Sequence, residues 1–382
     1  MTRRRLGYDD VVVAAPVTVP YVRYSIRAAH WFVARALAGL VQRAGLPKEA
    51  VDGVCVSSFT LAPDSAIGLM QHLGLSPRWL DWLPVGGASG VLALRRAARA
   101  VQCGDADVVA CIAADTNHVD SFRLTLSNFS MFARDAVYPY GAGGPNASFA
   151  FLTDHYMRTY GATRADFGKL CVAQRDSALR NPVALFRKPL TLDEYLDARP
   201  IADPLHLFDC VMPCAGADAF LVLHRDRAEA LGLPHARLLG TIERHNAFAD
   251  DPIQVRGGWV ADRDDLYAQA GVGPADVDLM QAYDDYPVIT LMQIEDLGFC
   301  PKGEGGAFAQ AGELRVDGGA LPYNPHGGML SHAYVLGIAH VVEVVRQLRG
   351  EAANQVAGAE IGIYGGYTGP EAATLVLRRN AS

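Results

Sequence analysis

The sequence predicts an α/β protein made of two similar halves, each with β-strands covered by helices. The first indication is a pair of matching segments, Ala44-Gly-Leu-Pro-Lys-Glu-Ala-Val-Asp52 and Ala270-Gly-Val-Gly-Pro-Ala-Asp-Val-Asp278, which align without a gap and each lead into an apolar strand. The second is a Gly-Gly later in each half that opens a long helix, which ends at Gly104 or Gly350 and is followed by a strand. Their shared order favours two βα units packed together.

Apolar periodicity predicts the individual elements in order. The predicted elements are helices over 25–44, 66–73, 89–102 and 165–179, and strands over 51–57, 107–114, 217–224 and 360–364. From 116 to about 204 the periodicity weakens and Gly, Pro, Asn and aromatic residues collect, which indicates an inserted loop domain lying over a site. The predicted organisation is a first half over 1–225, which includes the loop domain at about 116–204, and a second half over 226–382.

Composition excludes several classes of partner. The 382 residues are enough for two domains with substantial cores, and the net charge of -7 argues against nucleic acid or an anionic membrane as the main partner. No apolar run reaches the roughly 18 residues that a membrane span needs. The basic start Met1-Thr-Arg-Arg-Arg-Leu6 is followed by Gly7-Tyr-Asp-Asp10 and not by an apolar segment of signal length. We therefore expect a cytoplasmic protein.

The seven cysteines do not have the spacing of a metal site. They are scattered and odd in number, and Cys210 and Cys214 are the only near pair. Without a second pair or nearby histidines, these two are poor zinc ligands. We expect no metal, and we expect most of the cysteines to be buried reduced thiols.

Two glycine turns mark the predicted site. They are Val85-Gly-Gly-Ala-Ser-Gly90 and Asn324-Pro-His-Gly-Gly328, the second followed by a helix predicted to begin near Ser331. A turn that leads into a helix start directs free amide groups at one point, which suits an anion or a polarised carbonyl. We expect the two helix starts to meet at a pseudo-twofold axis and to form the site there. The simpler alternative is that Gly86 and Gly87 only allow a helix to pack closely on its neighbour.

These turns and the helix end Val345-Arg-Gln-Leu-Arg-Gly350 resemble the thiolase superfamily, specifically the sterol-carrier-protein-X type. The resemblance covers nearly the whole chain and is strongest after Val277. It implies the thiolase fold, in which two duplicated halves form a layered αβαβα core with a loop domain inserted in the first half. It also implies a homodimer and a coenzyme A thioester as substrate, with coenzyme A being part of the substrate and no separate cofactor.

The chain departs from thiolases at each catalytic side chain. The acyl-accepting cysteine of the Cys-Ala-Ser-Gly motif aligns with Gly87, and the histidine of Gly-His-Pro aligns with Tyr334. Tyr283, in Tyr283-Asp-Asp-Tyr286, replaces the histidine of His-Asp-Cys-Phe, and Tyr364 replaces the second cysteine before Gly365 and Gly366. This combination is similar to the thiolase-like aldolases that cleave steroid side chains and use tyrosines. The resemblance to those enzymes implies a heteromer with a small OB-fold, zinc-ribbon protein.

Loss of the thiol is consistent with a change of reaction. Cleavage of a β-ketoacyl thioester releases an acyl group that a nucleophile must accept. Cleavage of a β-hydroxyacyl thioester releases a finished aldehyde or ketone, so no acceptor is needed. Both reactions leave an enolate that needs preorganised donors. We therefore expect a retro-aldolase acting on a β-hydroxyacyl-CoA, for which the resemblance indicates a 17-hydroxysteroid side chain.

Tyr334 is the leading candidate for proton transfer, with Tyr283 beside it. A free tyrosine titrates near 10, so it needs a neighbouring donor or positive field, or must relay a proton as a neutral hydroxyl. The sequence leaves open which histidine is close enough to help; the candidates are His332, His326 and His245. Of these, His332 is expected on the opposite side of the helix start, pointing to solvent.

Each of the other candidate residues has both a catalytic and a structural interpretation. The amides of Gly87 and Gly366 are candidates for the thioester oxyanion hole, and Tyr364 is the third tyrosine at a catalytic position. Each tyrosine could instead be a packing residue with a satisfied hydroxyl. Asp284 and Asp285 could form an acid pair, although carboxylates at a strand end more often cap or are solvated.

Two other functions remain open. One is an acyltransferase in which Cys111 or Cys214 has become the nucleophile, and the other is a silent scaffold for a partner enzyme. Loop-domain aromatic residues could line a pocket for a polycyclic group or could form that domain's own core. These aromatic residues are Phe122, Phe129, Phe132, Tyr138, Tyr140 and Phe149.

Overall fold

The computed structural model describes residues 6–127, 138–141, 144–251, 253–369 and 371–380. The strands are β1 (Val11–Val22), β2 (Gly53–Ser57), β3 (Trp79–Trp82), β4 (Val108–Thr116), β5 (Pro200–Ala202), β6 (Leu205–His206), β7 (Ala215–His224), β8 (His235–His245), β9 (Leu279–Ala282), β10 (Ile361–Thr368) and β11 (Glu371–Arg379). The helices are α1 (Ala29–Ala44), α2 (Ala66–Leu73), α3 (Ser89–Cys103), α4 (Val119–Ser127), α5 (Pro145–Tyr160), α6 (Arg164–Arg180), α7 (Leu192–Leu196), α8 (Arg225–Ala230), α9 (Trp259–Ala270), α10 (Pro287–Asp296), α11 (Gly305–Gln310) and α12 (Ile338–Arg349).

A mixed sheet runs through both halves of the molecule. Among the described residues it has nine strands in the order β3-β2-β4-β7-β1-β8-β11-β10-β9. Strands β1 and β8 join the halves through antiparallel pairs such as Val13 with Ala236. The strands on the two sides of this joint pair in the same sequence: two antiparallel pairings come first and a parallel pairing follows. In the first half the strands are β1-β7-β4-β2, and in the second half they are β8-β11-β10-β9. In the second half, an isolated parallel β-bridge between Met280 and Tyr323 takes the place that β3 has in the first half. The topology thus repeats as the matching segments predict.

Helices cover the sheet in layers. Helix α1 packs on β1, β4 and β7, and α9 packs on β8 and β11. Helices α3 and α12 contact each other and also contact strands of both halves. The predicted αβαβα core is therefore confirmed, with α3 and α12 forming the central layer. This position explains why most of their residues are buried.

Both central helices end where the sequence predicts. The backbones of Gly104 and Gly350 are left-handed, with φ of 76° and 69°, and their amides donate to carbonyls of the last helical turn. Residues with a Cβ rarely adopt this conformation, so glycine ends the helix. The start of α12 was predicted wrongly, because the helix begins at Ile338 and not near Ser331.

The region from 116 to 204 contains more regular structure than its weak periodicity suggests. Helices α4, α5, α6 and α7 lie in it, and only α6 was predicted. Of the loop-domain aromatic residues, Phe129 and Phe132 and the side chain of Tyr138 lie outside the described residues. No helix in the described part of the chain is both long enough and apolar enough to cross a bilayer.

Glu343 is a buried carboxyl within the central layer. It lies on α12, and its Oε1 accepts a hydrogen bond of 2.8 Å from Gln347 Nε2. Burial raises the pKa of Glu343 to about 7. The folded protein therefore keeps this proton up to a pH at which the unfolded chain has lost it. The stability that this proton contributes is present below the unfolded pKa of about 4.5 and is lost as pH rises through about 7.

Glutamine at position 343 is expected to raise stability at pH 8 by roughly 1–3 kcal/mol, because it accepts the same hydrogen bond without becoming charged. Below pH 4.5 the variant and the wild type should be equally stable at this site. Chemical unfolding at pH 4.5, 6 and 8 checks this. If the two proteins differed in unfolding free energy by the same amount at all three pH values, ionisation of Glu343 would not destabilise the fold.

Candidate active site

The starts of the two central helices, α3 and α12, meet next to the first glycine turn. A Cβ added to Gly90, in the first turn of α3, would lie 3.0 Å from the carbonyl oxygen of Gly337 and 3.2 Å from Cα of Ile338. Strand β10 closes on the same place, because a Cβ at Gly366 would lie 2.9 Å from the Gly87 oxygen and 3.0 Å from Cα of Ala88. The backbone elements therefore converge without room for side chains at these glycines.

The ring of Tyr283 fills the space beside Gly87. A Cβ added to Gly87 would overlap the Cδ2, Cε1 and Cε2 atoms of that ring. Tyr283 is held there by its backbone, since its amide donates to Gly365 at 2.8 Å and its carbonyl accepts from Gln293 Nε2 at 2.8 Å. A side chain at position 87 and a ring at position 283 exclude each other in this arrangement.

Tyr364 supports the glycine turn from the other side. Its hydroxyl donates a hydrogen bond of 2.8 Å to the carbonyl oxygen of Gly87. Its ring stacks on His340, with centroids 5.0 Å apart and planes 22° apart. Because its proton is engaged by the backbone, Tyr364 acts as a positioning residue for the turn.

Tyr334, Tyr283 and Asp285 lie close together, and each shifts the pKa of its neighbours. Both tyrosines are buried, whereas Asp285 is partly exposed. A phenol hydroxyl can both donate and accept a hydrogen bond, so two neighbouring phenols can pass a proton between them. The buried members of this group are therefore phenols and the outer member is a carboxyl.

Burial sets the protonation of Tyr283, Tyr334 and Asp285. Burial raises the pKa of Tyr283 and Tyr334 above 10, and the nearby Asp285 charge raises both further. Burial and the charge of Asp284 raise the pKa of Asp285 well above its usual range. Both phenols are therefore neutral at physiological pH, and relay of a proton is the chemistry open to them.

The sequence left Asp284 and Asp285 as a possible acid pair without distinguishing them. In the structure Asp284 is buried and binds backbone amides, whereas Asp285 is partly exposed. The partners of Asp284 come from a distant segment, so no local pattern in the sequence separates the two carboxyls.

Asp284 organises the second glycine turn. Its carboxylate accepts hydrogen bonds from the amides of Met329, at 2.8 and 3.0 Å, and of Leu330, at 3.1 Å. His340 Nε2 lies 3.2 Å from its Oδ1. A Cβ at Gly328 would be 2.8 Å from Asn324 Nδ2 and would overlap Gln174, so glycine is required there. The capping alternative is thus the correct one for Asp284.

The second glycine turn wraps around the Asp284 carboxylate, which explains why the start of α12 was predicted in the wrong place. Residues Gly328–His332 form one π-helical turn, and Ala333 is extended with φ of -172° and ψ of 159°. Regular α-helix resumes only after Gly337. Tyr334 therefore lies in an extended segment between the turn and α12, and not on a helix.

His326 and His332 lie below the turn, in ring contact with each other at 5.2 Å between centroids. Asn181 Nδ2 is 3.3 Å from His332 Nδ1, and the ring of Tyr21 packs on His332 at 5.4 Å. The expectation that His332 points to solvent is wrong, because Asn181 and Tyr21 enclose it. Burial lowers the pKa of His332 to about 3 and that of His326 well below 6.5. Both are neutral at pH 7 and so supply no positive field.

His245 lies apart from these residues. It is the last residue of β8 and is exposed, with Nδ1 3.3 Å from Glu371 Oε1 and Nε2 3.8 Å from Glu243 Oε1. Its contacts within the described chain are to these carboxylates and not to the tyrosines. The suggestion that His245 tunes Tyr334 receives no support from this position.

Cys214 clamps the backbone of Tyr334. Its Sγ accepts from the Tyr334 amide at 3.4 Å and donates to the Tyr334 carbonyl at 3.4 Å. Burial raises the pKa of Cys214 to about 12, so it remains a thiol at physiological pH. Cys111 is fully buried in β4 opposite Cys55 of β2. Neither cysteine has the exposure that a nucleophile requires.

Aromatic side chains form a wall that includes the ring of Tyr334. Phe122 meets the ring of Tyr334 edge-on at 6.1 Å. Phe149 stacks on Tyr286 at 4.3 Å and meets Tyr367 at 6.4 Å. By contrast, Tyr140 is exposed. Phe122 and Phe149 thus bring the loop domain to the site, as a pocket for an apolar group requires.

A family model described as "Thiolase C-terminal domain-like" matches residues 243–379. The chain is 34% identical over 339 residues to a "Steroid side-chain-cleaving aldolase" of Thermomonospora curvata, covering 84% of this chain and 85% of that protein. It is also 34% identical over 363 residues to a "17-hydroxy-3-oxo-4-pregnene-20-carboxyl-CoA lyase" of Mycobacterium tuberculosis, covering 90% and 92%. An "Acetyl-CoA acetyltransferase" of Methanothermobacter thermautotrophicus is 34% identical over 328 residues, covering 81% and 83%.

Solved structures share the whole architecture. The structure named "Ltp2-ChsH2(DUF35) aldolase" superposes with a TM-score of 0.87 at 29% identity, covering 97% of this chain and 98% of that one. Human mitochondrial 3-ketoacyl-CoA thiolase superposes with a TM-score of 0.73 at 14% identity, covering 98% and 100%. The second likeness concerns the fold alone.

Proposed function

The chain belongs to the thiolase superfamily, and we propose that within it this protein is a carbon–carbon lyase, a retro-aldolase that cleaves a β-hydroxyacyl-CoA into a ketone and a shorter acyl-CoA. The observation that carries the proposal is the Tyr283 ring packed against Gly87. It leaves no space for a nucleophilic side chain at that position. A retro-aldol cleavage needs none, because the departing ketone is a complete molecule.

The substrate proposed is a 17-hydroxysteroid side-chain CoA thioester. The names of two relatives support this choice, one a steroid side-chain-cleaving aldolase and the other a 17-hydroxy-3-oxo-4-pregnene-20-carboxyl-CoA lyase. The aromatic wall of Phe122, Phe149, Tyr286 and Tyr367 also suits the apolar faces of a polycyclic ring system. Cleavage between the hydroxyl-bearing carbon and the α-carbon would give a ring ketone and propionyl-CoA.

In the proposed mechanism, Tyr334 accepts the proton of the substrate hydroxyl as it passes its own proton to Tyr283, and the proton that Tyr283 releases in turn is delivered to the enolate carbon. The bond to the α-carbon then breaks, and its electron pair becomes the enolate of the shorter thioester. The amides of Gly87 and Gly366 are proposed to stabilise the enolate oxygen, a contribution typically worth about 3–4 kcal/mol for a lost donor. Protonation of the enolate carbon completes the acyl-CoA.

Coenzyme A is proposed to enter only as part of the substrate, with no separate cofactor, because the reaction is redox-neutral and transfers no acyl group. We also propose a heteromer with a small OB-fold, zinc-ribbon protein. This proposal is supported by the similar solved structure, whose name pairs Ltp2 with ChsH2(DUF35). A homodimer core is proposed at the edge strand β3, where Trp82 is 36% exposed. The free state of all seven cysteines suits a cytoplasmic location.

Incubation with a 17-hydroxysteroid side-chain CoA thioester tests the proposal. The protein is assayed with and without the zinc-ribbon partner, and propionyl-CoA and the ring ketone are measured by mass spectrometry. We expect both products in equal amounts from the partnered protein. Absence of both products from the partnered, folded protein would contradict the proposed function.

Alkylation separates a lyase from the alternative acyltransferase. Cys103 is exposed and should react with iodoacetamide, whereas Cys111 and Cys214 are buried. We expect the alkylated protein to keep at least about half of its lyase activity, because no thiolate takes part in the reaction. Iodoacetamide labelling is mapped by peptide mass spectrometry alongside the assay. Loss of activity in step with labelling of Cys111 or Cys214 would favour the acyltransferase.

A further inference from the structure

His340 is a fully buried histidine in the first turn of the central helix α12. Its Nδ1 lies 2.7 Å from Oε1 of Gln281 in β9, where the ring N–H donates to the amide oxygen. Its Nε2 lies 3.2 Å from Asp284 Oδ1 and makes no other polar contact in the described part of the chain. A polar ring is costly to bury unless its nitrogens have partners, so these two contacts fix the orientation of the imidazole.

The second glycine turn is linked to His340 through Asp284. The Asp284 carboxylate accepts hydrogen bonds from two backbone amides of the turn. The ring of His326, which belongs to the same turn, meets the His340 ring edge-on, with centroids 5.3 Å apart and planes 89° apart. The chain runs from this turn directly to Tyr334. A change in the position of His340 would therefore be transmitted to the segment that carries Tyr334.

The first glycine turn is linked to His340 through Tyr364. The His340 ring stacks on the Tyr364 ring, and the Tyr364 hydroxyl donates to the Gly87 carbonyl at 2.8 Å. A Cβ added to Gly337, the residue before α12, would overlap both this hydroxyl and this carbonyl. The start of α12 is thus packed directly on the contact. One imidazole therefore touches a side chain that supports each of the two glycine turns.

We propose that His340 is a positioning residue that holds the two glycine turns in a fixed relation, so that Tyr334 and the Gly87 amide keep their relative positions during the reaction. It acts through Asp284 and Tyr364 and, being fully buried, does not contact the substrate. The inference rests on the proposed function. The alternative is a core histidine that contributes to folding stability alone.

His340→Phe keeps an aromatic ring against Tyr364 and removes both nitrogen contacts. In the partnered protein we expect kcat to fall about 10- to 100-fold with KM within about threefold of the wild-type value, because catalytic groups are displaced while the substrate is still bound. His340→Gln places an amide N–H near the position of Nε2. This conservative variant should have a kcat at least about threefold above that of His340→Phe.

His235→Phe is the matched control. His235 is a buried histidine at the start of β8, and its Nδ1 lies 2.8 Å from the Leu233 carbonyl oxygen. The same substitution at this position should lower stability and leave kcat unchanged. Unfolding curves are measured for every variant beside the steady-state kinetics, so that loss of folded protein is separated from loss of turnover.

Three results would overturn the inference: a folded His340→Phe with kcat within about threefold of wild type, a change in KM alone, or an equal loss of kcat in His235→Phe. If His340→Phe does not fold, His340→Gln is compared with His340→Asn, whose shorter side chain places its amide near the position of Nδ1 and away from Asp284. A faster glutamine variant supports the inference, and a rate at or below that of the asparagine variant overturns it. Failure of the wild type to cleave the substrate would instead overturn the proposed function.

Discussion

Replacing Tyr334 with phenylalanine is expected to lower kcat for β-hydroxyacyl-CoA cleavage by about 10²–10⁴-fold and to change KM little. The ring and its contact with Phe122 remain in the variant, so substrate binding should persist. What is lost is the hydroxyl that would receive the substrate proton and pass its own to Tyr283. Steady-state kinetics of the partnered protein, with product formation measured directly, check this result.

Tyr267→Phe provides the control for this change. The Tyr267 hydroxyl is also buried, and it donates 2.8 Å to the Leu297 carbonyl away from the site. The control should lose stability of about 0.5–1.5 kcal/mol and no activity. If Tyr334→Phe turned over within about threefold of wild type, proton relay through this phenol would be refuted, and the silent-scaffold alternative would gain support if Tyr283→Phe behaved in the same way.

Alanine at position 87 is expected to damage both folding and activity. The added Cβ would overlap three ring carbons of Tyr283, and the turn is held from behind by Tyr364 and Gly366. Overpacking of this kind costs about 1–3 kcal/mol. Because the ring must move, the Tyr283 hydroxyl should leave its position, and a loss of about 10²-fold or more in kcat is expected. Unfolding curves and kinetics measure the two effects.

A double-mutant cycle identifies the cause of the Gly87→Ala effect. In a Tyr283→Ala background the added methyl group has space, so the stability cost of Gly87→Ala should largely disappear. Gly68→Ala in α2 is the control, because no atom lies within 4 Å of its Cβ position. That change should be neutral or stabilising by up to about 1 kcal/mol. An unchanged cost of Gly87→Ala when Tyr283 is alanine would mean that the ring is not the obstacle.

Repetition made the overall fold predictable from sequence. Two aligned segments and two Gly-Gly helix starts indicated a duplicated α/β core, and the strand pairings repeat accordingly. These signals are local, and each uses periodicity or a glycine with a defined role. Strand β1 was not predicted, although its pairing with β8 joins the halves. That pairing connects distant parts of the chain and leaves no local pattern.

Site details depended on contacts that local sequence does not show. The helix start near Ser331 was wrong because the carboxylate of Asp284 binds the amides of Met329 and Leu330 and holds them in a π-helical turn. His332 is enclosed by Asn181 and Tyr21, which come from remote segments. Asp284 and Asp285 are distinguished only by their burial and by the amides that Asp284 binds. The resemblance to a family placed the tyrosines at catalytic positions, but the packing of the Tyr283 ring against Gly87 is a property of the folded structure.

A reaction without free coenzyme A tests the central claim most directly, namely that this thiolase framework breaks a carbon–carbon bond without an acyl acceptor. The purified complex is mixed with the β-hydroxyacyl-CoA after all free coenzyme A has been removed, and the ketone and the shorter acyl-CoA are quantified by mass spectrometry. We predict that both form in a 1:1 ratio and that the rate does not change when coenzyme A is added back. Cleavage that starts only after coenzyme A is added, or that leaves an acyl group on a cysteine, would contradict the account.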